Sequence, residues 1–196
     1  MKGVRLRTPR LLVRDLPPSQ AERVARFHRE NWHFHRPWEP LRRDEFFGER
    51  YQRRLLRSER ASDSALHLWL LLAEDGSSRW RDAPIVGSVT LSSIVRGFFQ
   101  SCYLGYKMDA RYTRRGLMRE ALTEVVGYAF SRVGLHRIEA NAMPRNQASR
   151  SLLERLGFRE EGLARRYLRI QGEWEDHVHM VVLSEEWAET GTSRRS

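Results

Sequence analysis

The apolar positions along the chain follow two different periods, and the changes between them predict the order of helices and strands. A first strand is predicted at residues 11–13, followed by helical spacing from about Pro18 and by a second, very basic helical stretch at 42–59. Three apolar runs then predict a meander of strands at 65–73, 84–95 and 102–108. The first two of these strands are separated by the segment EDGSSRWRDAP, whose Gly, Ser and Pro residues predict a loop.

The helical period is clearest in the middle of the chain, directly after the meander. Apolar residues recur at three- and four-residue steps over 117–133, which predicts an amphipathic helix that ends at Gly134 as its C-cap. The next segment, 137–142, alternates between apolar and polar residues and ends before Pro144, as a strand with one covered face does. Because a helix connects the strands at 102–108 and 137–142, these strands are expected to be parallel neighbours.

The last part of the chain predicts a short helix and a hairpin. Asn146 caps the predicted helix, Gly157 ends it, and strands at 158–170 and 174–183 flank the turn QGE. Counted together, the elements are a strand, two helices, a three-strand meander, a helix, a strand, a helix and two strands. This order predicts an α+β fold with a mixed, mostly antiparallel sheet of about seven strands, flanked by helices.

The length and composition predict one domain, 1–196, with a tail from about residue 188 that is expected to be disordered. The longest apolar stretch, 68–73, is far shorter than the roughly 20 residues of a membrane-spanning helix, and the first residues lack the apolar core of a signal peptide. We therefore expect a cytoplasmic protein that does not enter a membrane. The single cysteine, Cys102, cannot form an internal disulfide and fits a small apolar side chain on a strand.

The charge of the chain is strongly positive and almost entirely due to arginine. The formal net charge is +10, and only Lys2 and Lys107 among the 35 basic residues are lysines. Arginine guanidinium groups pair well with phosphate, so this surface suits a phosphorylated cofactor, a ribosome or an acidic protein. Frequent use of arginine on solvated helix faces explains the same charge without any partner, and the sequence does not choose between the two.

The segment MDARYTRRGLMREAL predicts an anion site. A strand ends at Met108, a short basic loop follows, and a helix opens at Gly116. The first amides of a helix have no partner within it and carry the positive end of the helix dipole, while a glycine lets a phosphate approach the backbone. Arg114 and Arg115 add charge beside these amides. An ordinary solvated loop has a similar composition, so this segment alone does not establish the site.

A second segment, NQASRSLLERLGF at 146–158, makes the combination specific. Together with the loop before it, this segment resembles the GNAT acetyltransferases, in which the two motifs bind the pyrophosphate and the pantetheine arm of acetyl-CoA. The strings RLLVRDL, HFHRPWEP, SSIVRGFFQSCYLGY and GEWEDHV are similar to the RimJ-type ribosomal-protein-alanine N-acetyltransferases, so the resemblance extends over residues 6–187. The resemblance implies that the cofactor is bound by Lys107, Met108, Thr113, Arg114, Arg115, Gly116, Leu117, Met118, Asn146 and Ser149.

The chain departs from the family pattern at one place in the loop. Members of the family usually carry Gln or Arg three residues before the loop glycine and a small residue two after it, whereas this chain has Thr113 and Met118. Met118 is typical of the RimJ and RimL branch. Thr113 lacks the usual long polar side chain, so the phosphate contacts there are expected to depend on backbone amides together with Arg114 and Arg115.

The resemblance also implies a mechanism. The two central parallel strands splay apart, the cofactor arm runs between them, and the backbone N–H of Met108 polarises the thioester carbonyl, the contribution that usually dominates acyl transfer. The amine attacks directly, without an enzyme nucleophile. Since an α-amino group has a pKa of about 7.7 to 8.0 and is neutral about a tenth of the time at pH 7, an N-terminal acceptor asks little of a general base.

Four side chains are candidates for proton transfer. Glu139, on the polar face of its strand, and Glu161, just after the LGF motif, are the candidate bases, and an ordinary solvated glutamate is the alternative for Glu139. Tyr167 and Ser149 are the hydroxyls that the resemblance places near the departing thiolate. The alternatives are that Ser149 supports the start of its helix and that Tyr167 is a strand aromatic with one polar end.

The segment 32–40 looks like the substrate-side loop of the family, which implies that Trp38 and Glu39 contact the acceptor. Glu39 has the right sign to meet an ammonium group or a basic tail. His33 and His35 are two residues apart, but no third ligand is visible, so packing around Trp38 is the preferred explanation and no metal site is predicted. The same explanation is preferred for the two histidines of the last strand.

The acceptor is the least determined part of this prediction. The resemblance favours the N-terminal alanine of a ribosomal protein. Two alternatives stay open: acetylation of small amines such as antibiotics or polyamines, and an assembly role in which the arginine-rich first half binds rRNA or the ribosome. A monomer and a homodimer are both compatible with the sequence.

Overall fold

The computed structural model describes residues 3–73 and 80–193. The strands are β1 (Arg5–Arg7), β2 (Leu11–Arg14), β3 (Leu66–Leu72), β4 (Ile85–Val95), β5 (Ser101–Met108), β6 (Arg137–Ala142), β7 (Arg159–Ile170) and β8 (Glu173–Leu183). The α-helices are α1 (Ala21–His35), α2 (Glu49–Ala61), α3 (Leu117–Tyr128), α4 (Gln147–Arg155) and α5 (Ser184–Ser193). Most of the predicted loop EDGSSRWRDAP lies outside the described residues, which omit 74–79.

The described strands form one eight-stranded sheet, in the order β1-β2-β3-β4-β5-β6-β8-β7. Neighbouring strands are antiparallel except for β5 and β6, which run parallel and are connected through α3. The predicted α+β fold, with a mostly antiparallel sheet and a central parallel pair, is confirmed. The sequence pattern did not predict β1, because its three residues, Arg5–Arg7, are too few to show a period.

The basic stretch at 42–59 is not one helix. A 3-10 turn at Asp44–Phe47 is followed by Gly48, whose extended backbone (φ −89°, ψ 145°) interrupts the helical path before α2 begins. The buried side chain of Gln52 in α2 donates a hydrogen bond to the carbonyl of Phe46 at 2.6 Å and joins the two pieces. The helical spacing of the sequence therefore continues across a break in the helix itself.

The long helix predicted at 117–133 is confirmed with one change. It begins as α3, but its last turn, Ala129–Val133, is a π-helix, and Gly134 ends it in the left-handed conformation with φ 76°. At the end of the chain, α5 continues past residue 188 to Ser193. The disorder of the tail and the single-domain organisation stay predictions. None of the described helices is long and apolar enough to cross a membrane.

The first half of the sheet is apolar on both faces. In β3, Leu68 and Leu70 belong to the core that α3 completes, whereas Trp69 and Leu71 pack with residues of α1 and α2 on the opposite face. A strand that is covered on both sides needs a continuous apolar run, which explains the sequence LHLWLLL of β3. Each fully buried leucine contributes about 1.5–3 kcal/mol, so this double-sided core is a main source of stability.

The second half of the sheet has one apolar and one polar face. In β6, Ile138 and Ala140 lie in the core with α3 and α4, while Glu139 and Asn141 point to the other face and are half-buried. Cys102 of β5 belongs to the same core, and burial raises the pKa of its thiol to about 12. The cysteine therefore behaves as the small apolar side chain that the sequence predicts.

Strands β5 and β6 are paired only at their beginnings. Their parallel register covers three pairs, the last of which joins Tyr103 to Glu139. Beyond this point β5 continues beside β4 as far as Met108, and β6 continues beside β8 as far as Ala142. A gap therefore opens between the two strands in the middle of the sheet, which confirms the predicted splayed pair.

Candidate active site

The end of β5 presents backbone groups to the gap. Asp109 N–H donates a hydrogen bond to the carbonyl of Val86 in β4 at 2.8 Å. Because successive residues of a strand alternate in direction, the N–H and C=O of Met108 point away from β4. The carbonyl of Lys107 lies against Gly87, where a Cβ would come within 2.5 Å of the oxygen. Gly87 therefore lets β4 and β5 approach closely while the Met108 N–H faces the gap.

Helix α1 holds the same strand end in place. Nε2 of His35 lies 2.8 Å from the carbonyl oxygen of Met108, so this nitrogen carries the proton and donates it. The ring of His35 is buried against Phe27, and burial lowers its pKa, which keeps the imidazole neutral. The sequence predicts packing around Trp38 for this histidine. In the structure, its contacts fix the backbone at the end of β5.

One turn earlier on α1, Asn31 secures the first residues after β5. Its Nδ2 donates to the carboxylate of Asp109 at 3.2 Å, and its Oδ1 accepts from the N–H of Ala110 at 2.9 Å. Asp109 is buried and also accepts from Arg111 at 2.7 Å. Burial alone would raise the pKa of Asp109, but the hydrogen bonds from Arg111 and Asn31 outweigh it and lower the pKa. The ionised carboxylate thus ties the strand end to α1.

The predicted anion loop has a backbone suited to its role. Arg114 and Gly116 are in the left-handed conformation, with φ of 60° and 75°, and Gly116 is the N-cap of α3. The first helical hydrogen bond runs from Glu120 N–H to the Gly116 carbonyl at 3.1 Å. The amides that precede Glu120 therefore have no partner within the helix and lie at the positive end of its dipole.

The side chains of the loop divide between the core and the surface. Leu117 and Met118 are buried in the core, so only their backbone amides can reach a cofactor. Thr113 Oγ1 donates to the carbonyl of Ala110 at 3.1 Å, which commits its hydroxyl to the turn of the loop itself. The two neighbouring arginines of the predicted set are exposed. These two side chains are therefore accessible, and their contact with a phosphate stays a prediction.

Ser149 lies at the start of α4, beside a tyrosine that sequence reasoning missed. Asn146 caps this helix, because its Oδ1 accepts from the Ser149 N–H at 3.2 Å. The hydroxyl of Ser149 is 2.7 Å from the hydroxyl of Tyr106, in the part of β5 that is not paired with β6. Burial raises the pKa of Tyr106 to about 12, although the hydrogen bond with Ser149 acts in the opposite direction. The phenol therefore stays neutral near pH 7.

Glu139 is the centre of a polar cluster on the polar face of the second half of the sheet. Its Oε1 lies 3.0 Å from Nδ1 of His179, and its Oε2 lies 3.2 Å from Arg137. Nδ2 of Asn141 lies 3.2 Å from Glu139 Oε1 and 3.3 Å from the hydroxyl of Tyr167, so it connects the two. Burial is the main cause that raises the pKa of Tyr167 to about 12. Three side chains from β6 and β8 thus contact one carboxylate, and Tyr167 of β7 joins them through Asn141.

The predicted proton-transfer residues fall into separate groups. Glu139 and Tyr167 share the polar cluster, whereas Ser149 lies at the start of α4. Glu161, the other candidate base, forms an ion pair of 2.7 Å with Arg137, and this contact lowers its pKa. A carboxylate that is stabilised in its charged form accepts a proton less readily. The lowered pKa therefore makes Glu161 a weak base, and the role of Glu139 stays a prediction.

Glu39 is buried and carries two ion pairs. Its Oε1 is 2.6 Å from Nζ of Lys107, and its Oε2 is 3.3 Å from Arg42. Its backbone carbonyl accepts from Nε2 of Gln171, in the turn between β7 and β8, at 2.9 Å. Glu39 thus connects the predicted substrate loop to Lys107, a predicted cofactor residue, and its contact with an acceptor stays a prediction. The neighbouring Trp38 is 37% exposed.

Arg10, which sequence reasoning missed, reaches the anion loop from the turn between β1 and β2. Its Nη1 donates to the carbonyl of Arg115 at 2.9 Å, and its Nε forms a 2.7 Å ion pair with Glu120. The two segments are 105 residues apart along the chain. No local pattern distinguishes this arginine from the many others, so only the folded structure reveals its position.

The family follows from a comparison with known proteins. Residues 10–159 match the family described as Acetyltransferase (GNAT) domain. The chain belongs to the GNAT acetyltransferase family. It is therefore an acetyltransferase, and GNAT enzymes use acetyl-CoA as the donor. The resemblance predicted from the loop and from the segment at 146–158 is confirmed.

Several GNAT relatives match almost the whole chain. The ribosomal protein uS5-alanine N-acetyltransferase of Escherichia coli strain K12 is 39% identical over 187 residues, which cover 94% of this chain and 93% of the relative. A solved structure of the ribosomal-protein-S5-alanine acetyltransferase from Vibrio fischeri has a TM-score of 0.84 at 31% identity, covering 94% of this chain and 99% of that one. Mycobacterium smegmatis RimJ in complex with CoA-disulfide has a TM-score of 0.81 at 27% identity, covering 96% and 93%. The predicted RimJ-type resemblance is therefore confirmed.

Proposed function

We propose that this GNAT enzyme transfers the acetyl group of acetyl-CoA to the N-terminal α-amino group of a ribosomal protein, with alanine as the acceptor residue. The observation that carries the proposal is the gap between β5 and β6, which Met108 N–H faces just before the chain enters the anion loop. The names of the relatives from Escherichia coli and Vibrio fischeri support the acceptor. A cytoplasmic location is part of the proposal.

The residues around the gap fit acetyl-CoA. The amides from Gly116 to Arg119 would bind the pyrophosphate, and Arg114 and Arg115 would add charge, since Gly116 has no side chain that keeps a phosphate away. The unpaired edge of β5 suits an extended arm that contains amide groups. Acetyl-CoA supplies, when bound, a thioester that an amine can attack directly.

Met108 N–H is positioned to stabilise the charge that develops on the thioester oxygen. This donor is held from two sides, because the carbonyl of Lys107 rests against Gly87 and His35 binds the carbonyl of Met108. A donor that is fixed before the reaction needs no rearrangement as charge develops. Loss of one such donor typically costs a factor of about 10²–10³ in rate.

Glu139 would accept the proton of the attacking amine, directly or through water. It occupies the last paired position before the gap, opposite Tyr103. Contacts with His179 and Arg137 hold its carboxylate in one orientation. Because an α-amino group is neutral about a tenth of the time at pH 7, the base has only to collect a proton after the attack begins.

Ser149 would donate a hydrogen bond to the departing thiolate and so stabilise its charge, while the proton that the amine releases returns to the sulfur through solvent. The hydroxyls of Tyr106 and Ser149 lie 2.7 Å apart, and either can donate to the other. When Tyr106 is the donor, the hydrogen of Ser149 is available for the gap. The raised pKa of Tyr106, about 12, keeps the phenolic proton in place. Tyr106 therefore orients Ser149 and does not act as the acid.

Mass spectrometry of acetyl transfer tests this proposal. The purified protein is incubated with acetyl-CoA and peptides that begin with a free alanine, with matched peptides blocked at the N-terminus but carrying a lysine, and with a panel of small amines. We expect a gain of one acetyl group only on peptides with a free N-terminus. Acetylation of small amines alone would contradict the proposed acceptor, and CoA binding without any turnover would favour the rRNA-binding alternative.

A further inference from the structure

A compact set of contacts joins the β1–β2 turn to the first turn of α3. Arg10 binds the carboxylate of Glu120 twice, through Nε at 2.7 Å and through its backbone N–H at 2.8 Å. The hydroxyl of Thr8 donates to the same carboxylate. Burial alone would raise the pKa of Glu120, but these hydrogen bonds outweigh it and lower the pKa. The carboxylate is therefore ionised and anchors the arginine.

The anchored guanidinium also contacts the backbone of the anion loop. Nη1 of Arg10 donates to the carbonyl of Arg115 at 2.9 Å. The peptide bond from Arg115 to Gly116 is trans, because the described residues contain no cis peptide bond. In a trans peptide the N–H points opposite to the C=O. Binding the Arg115 carbonyl thus directs the N–H of Gly116 to the other side of the loop, away from Arg10.

We propose that Arg10 is a positioning residue for the cofactor: anchored by Glu120, it turns the peptide between Arg115 and Gly116 so that its N–H faces the pyrophosphate. This inference rests on the proposed placement of acetyl-CoA at the anion loop. Arg10 acts through the backbone: its Nε and Nη1 are bound within the protein, and its Nη2 lies against Gly116. Its contact also offsets the negative charge of Glu120, which would otherwise repel a phosphate at the start of α3.

Arg10 itself borders a groove on its own side of the loop. A groove of about 440 Å³ runs along this side of α3, and its lining includes Arg7, Arg10, Gly116, Arg119 and Glu120. A Cβ at Gly116 would lie 3.5 Å from Nη2 of Arg10, which is an ordinary contact distance. The guanidinium of Arg10 therefore packs closely against the loop. The groove also supplies a control, since Arg7 carries the same charge on the same wall.

The first test compares Arg10→Ala with Arg7→Ala by calorimetric titration with CoA. We expect the dissociation constant of Arg10→Ala to rise about tenfold, the factor that corresponds to loss of one good hydrogen bond, and that of Arg7→Ala to change much less. The same difference is expected with 3′-dephospho-CoA, which keeps the pyrophosphate. Thermal unfolding of both variants checks that each is folded at the titration temperature.

A truncated donor separates positioning from a general structural defect. Acetylpantetheine lacks the pyrophosphate, so Arg10→Ala should raise KM for acetyl-CoA with little change in kcat, and should leave kcat/KM for acetylpantetheine unchanged. An equal loss with both donors would overturn the proposal, because a distorted fold would affect the whole gap. Affinity for CoA within twofold of the unsubstituted protein would overturn it as well.

The double variant Arg10→Ala/Glu120→Gln distinguishes orientation from charge. It neutralises the Glu120 side chain, which Arg10 no longer contacts, but does not restore the hydrogen bond to the Arg115 carbonyl. We therefore expect its affinity for CoA to stay as low as that of Arg10→Ala. Recovery of the original affinity would show that charge neutralisation alone matters and would contradict the orienting role. If the unsubstituted protein binds no CoA, the proposed function fails first; if Gly116→Val abolishes CoA binding and Arg10→Ala does not, only the role of Arg10 fails.

Discussion

The two halves of the sheet contain similar strands but are covered differently. In the first half, β3 buries Leu68 and Trp69 on opposite faces, between α3 on one side and α1 with α2 on the other. In the second half, β6 buries Ile138 on one face and carries Glu139 on the other. The gap between β5 and β6 lies where the first arrangement gives way to the second. The polar side chains of the candidate active site thus lie where the helices cease to cover both faces of the sheet.

The two halves should therefore respond differently to substitution. We call the second half, with its polar face, the open half, and the first half, apolar on both faces, the covered half. Substitutions on the polar face of the open half should lower activity and leave the free energy of unfolding nearly unchanged, because the side chains there contribute little to the core. Substitutions in the covered half should lower the free energy of unfolding. Substitutions at the gap should weaken cofactor binding, or should lower both activity and stability.

The largest effect is expected at the start of α3, with Gly116→Val. A β-branched residue is strained at φ 75°, and its Cβ would lie 3.5 Å from Nη2 of Arg10. The loop backbone must therefore shift, and we expect the affinity for CoA to fall by more than about 100-fold. Gly134→Val is the matched control, because Gly134 has φ 76° near the other end of the same helix and nothing within 4 Å of a Cβ. Calorimetry should show weaker binding only for the first variant, and similar losses in both would contradict the site.

The next effect is expected in the open half, with Glu139→Gln. Loss of a general base typically lowers the rate by about 10²–10⁴. Because an α-amino acceptor asks little of a base, we expect kcat to fall by about 100-fold, the lower end of this range, while the midpoint of thermal unfolding stays nearly constant. Glu161→Gln is the control, since Glu161 shares the contact with Arg137. Steady-state kinetics with an alanine-initiated peptide measures both. Equal losses of kcat would remove the distinction between the two carboxylates.

A smaller, mixed effect is expected at the gap, with Gly87→Ala. The added Cβ would come within 2.5 Å of the Lys107 carbonyl, so the end of β5 and the Met108 N–H must shift. We expect kcat to fall about tenfold or more and stability to fall by about 1–3 kcal/mol. Gly105→Ala in β5, where nothing lies within 4 Å of a Cβ, should change neither. Urea unfolding and kinetics on both variants decide whether this contact positions Met108.

The smallest effect is expected in the covered half and depends on pH. His28 is buried among the rings of Phe27, Phe46 and Trp69, and burial above all lowers its pKa to about 2. The neighbouring groups that lower the pKa further are Lys107, His67, His35 and Arg42. In the unfolded chain a histidine takes up a proton below about pH 6.5, whereas His28 in the folded protein does not.

The stability associated with His28 is therefore complete above about pH 6.5 and decreases as the pH falls towards 2. Between pH 6.5 and 5.5 the free energy of unfolding should drop by about 1 kcal/mol through this residue. Urea unfolding across this range measures the slope, and His28→Phe, which keeps an aromatic ring in the cluster, should reduce it. An unchanged slope in that variant would show that other groups cause the pH dependence.

Elements with a strong period could be predicted from the sequence, and so could the loop that depends on local backbone. The spacing over 117–133 predicts α3, and Gly116 after two arginines predicts the turn that opens it, because both signals lie within a few neighbouring residues. That this loop binds an anion stays a prediction. The three-residue β1 and the break at Gly48 were not predicted, since neither produces a distinct period.

The contacts that complete the site could not be predicted in the same way. Arg10 reaches Arg115, His35 reaches Met108, and Tyr106 reaches Ser149, across 105, 73 and 43 residues of chain respectively. Each depends on how separate elements pack, and no local pattern distinguishes these side chains from others of their type. Glu39 shows the same limit: its contact with the ammonium group of an acceptor stays a prediction, and no local pattern indicated its ion pair with Lys107.

The gap between β5 and β6 is also a strand edge that other proteins cannot easily reach. Exposed edges offer unpaired N–H and C=O groups to foreign strands and promote aggregation. Here such an edge lies in the middle of an eight-stranded sheet, between neighbours that continue on either side. The chain thus keeps a row of backbone groups for an extended molecule inside the sheet, with strands on either side of it.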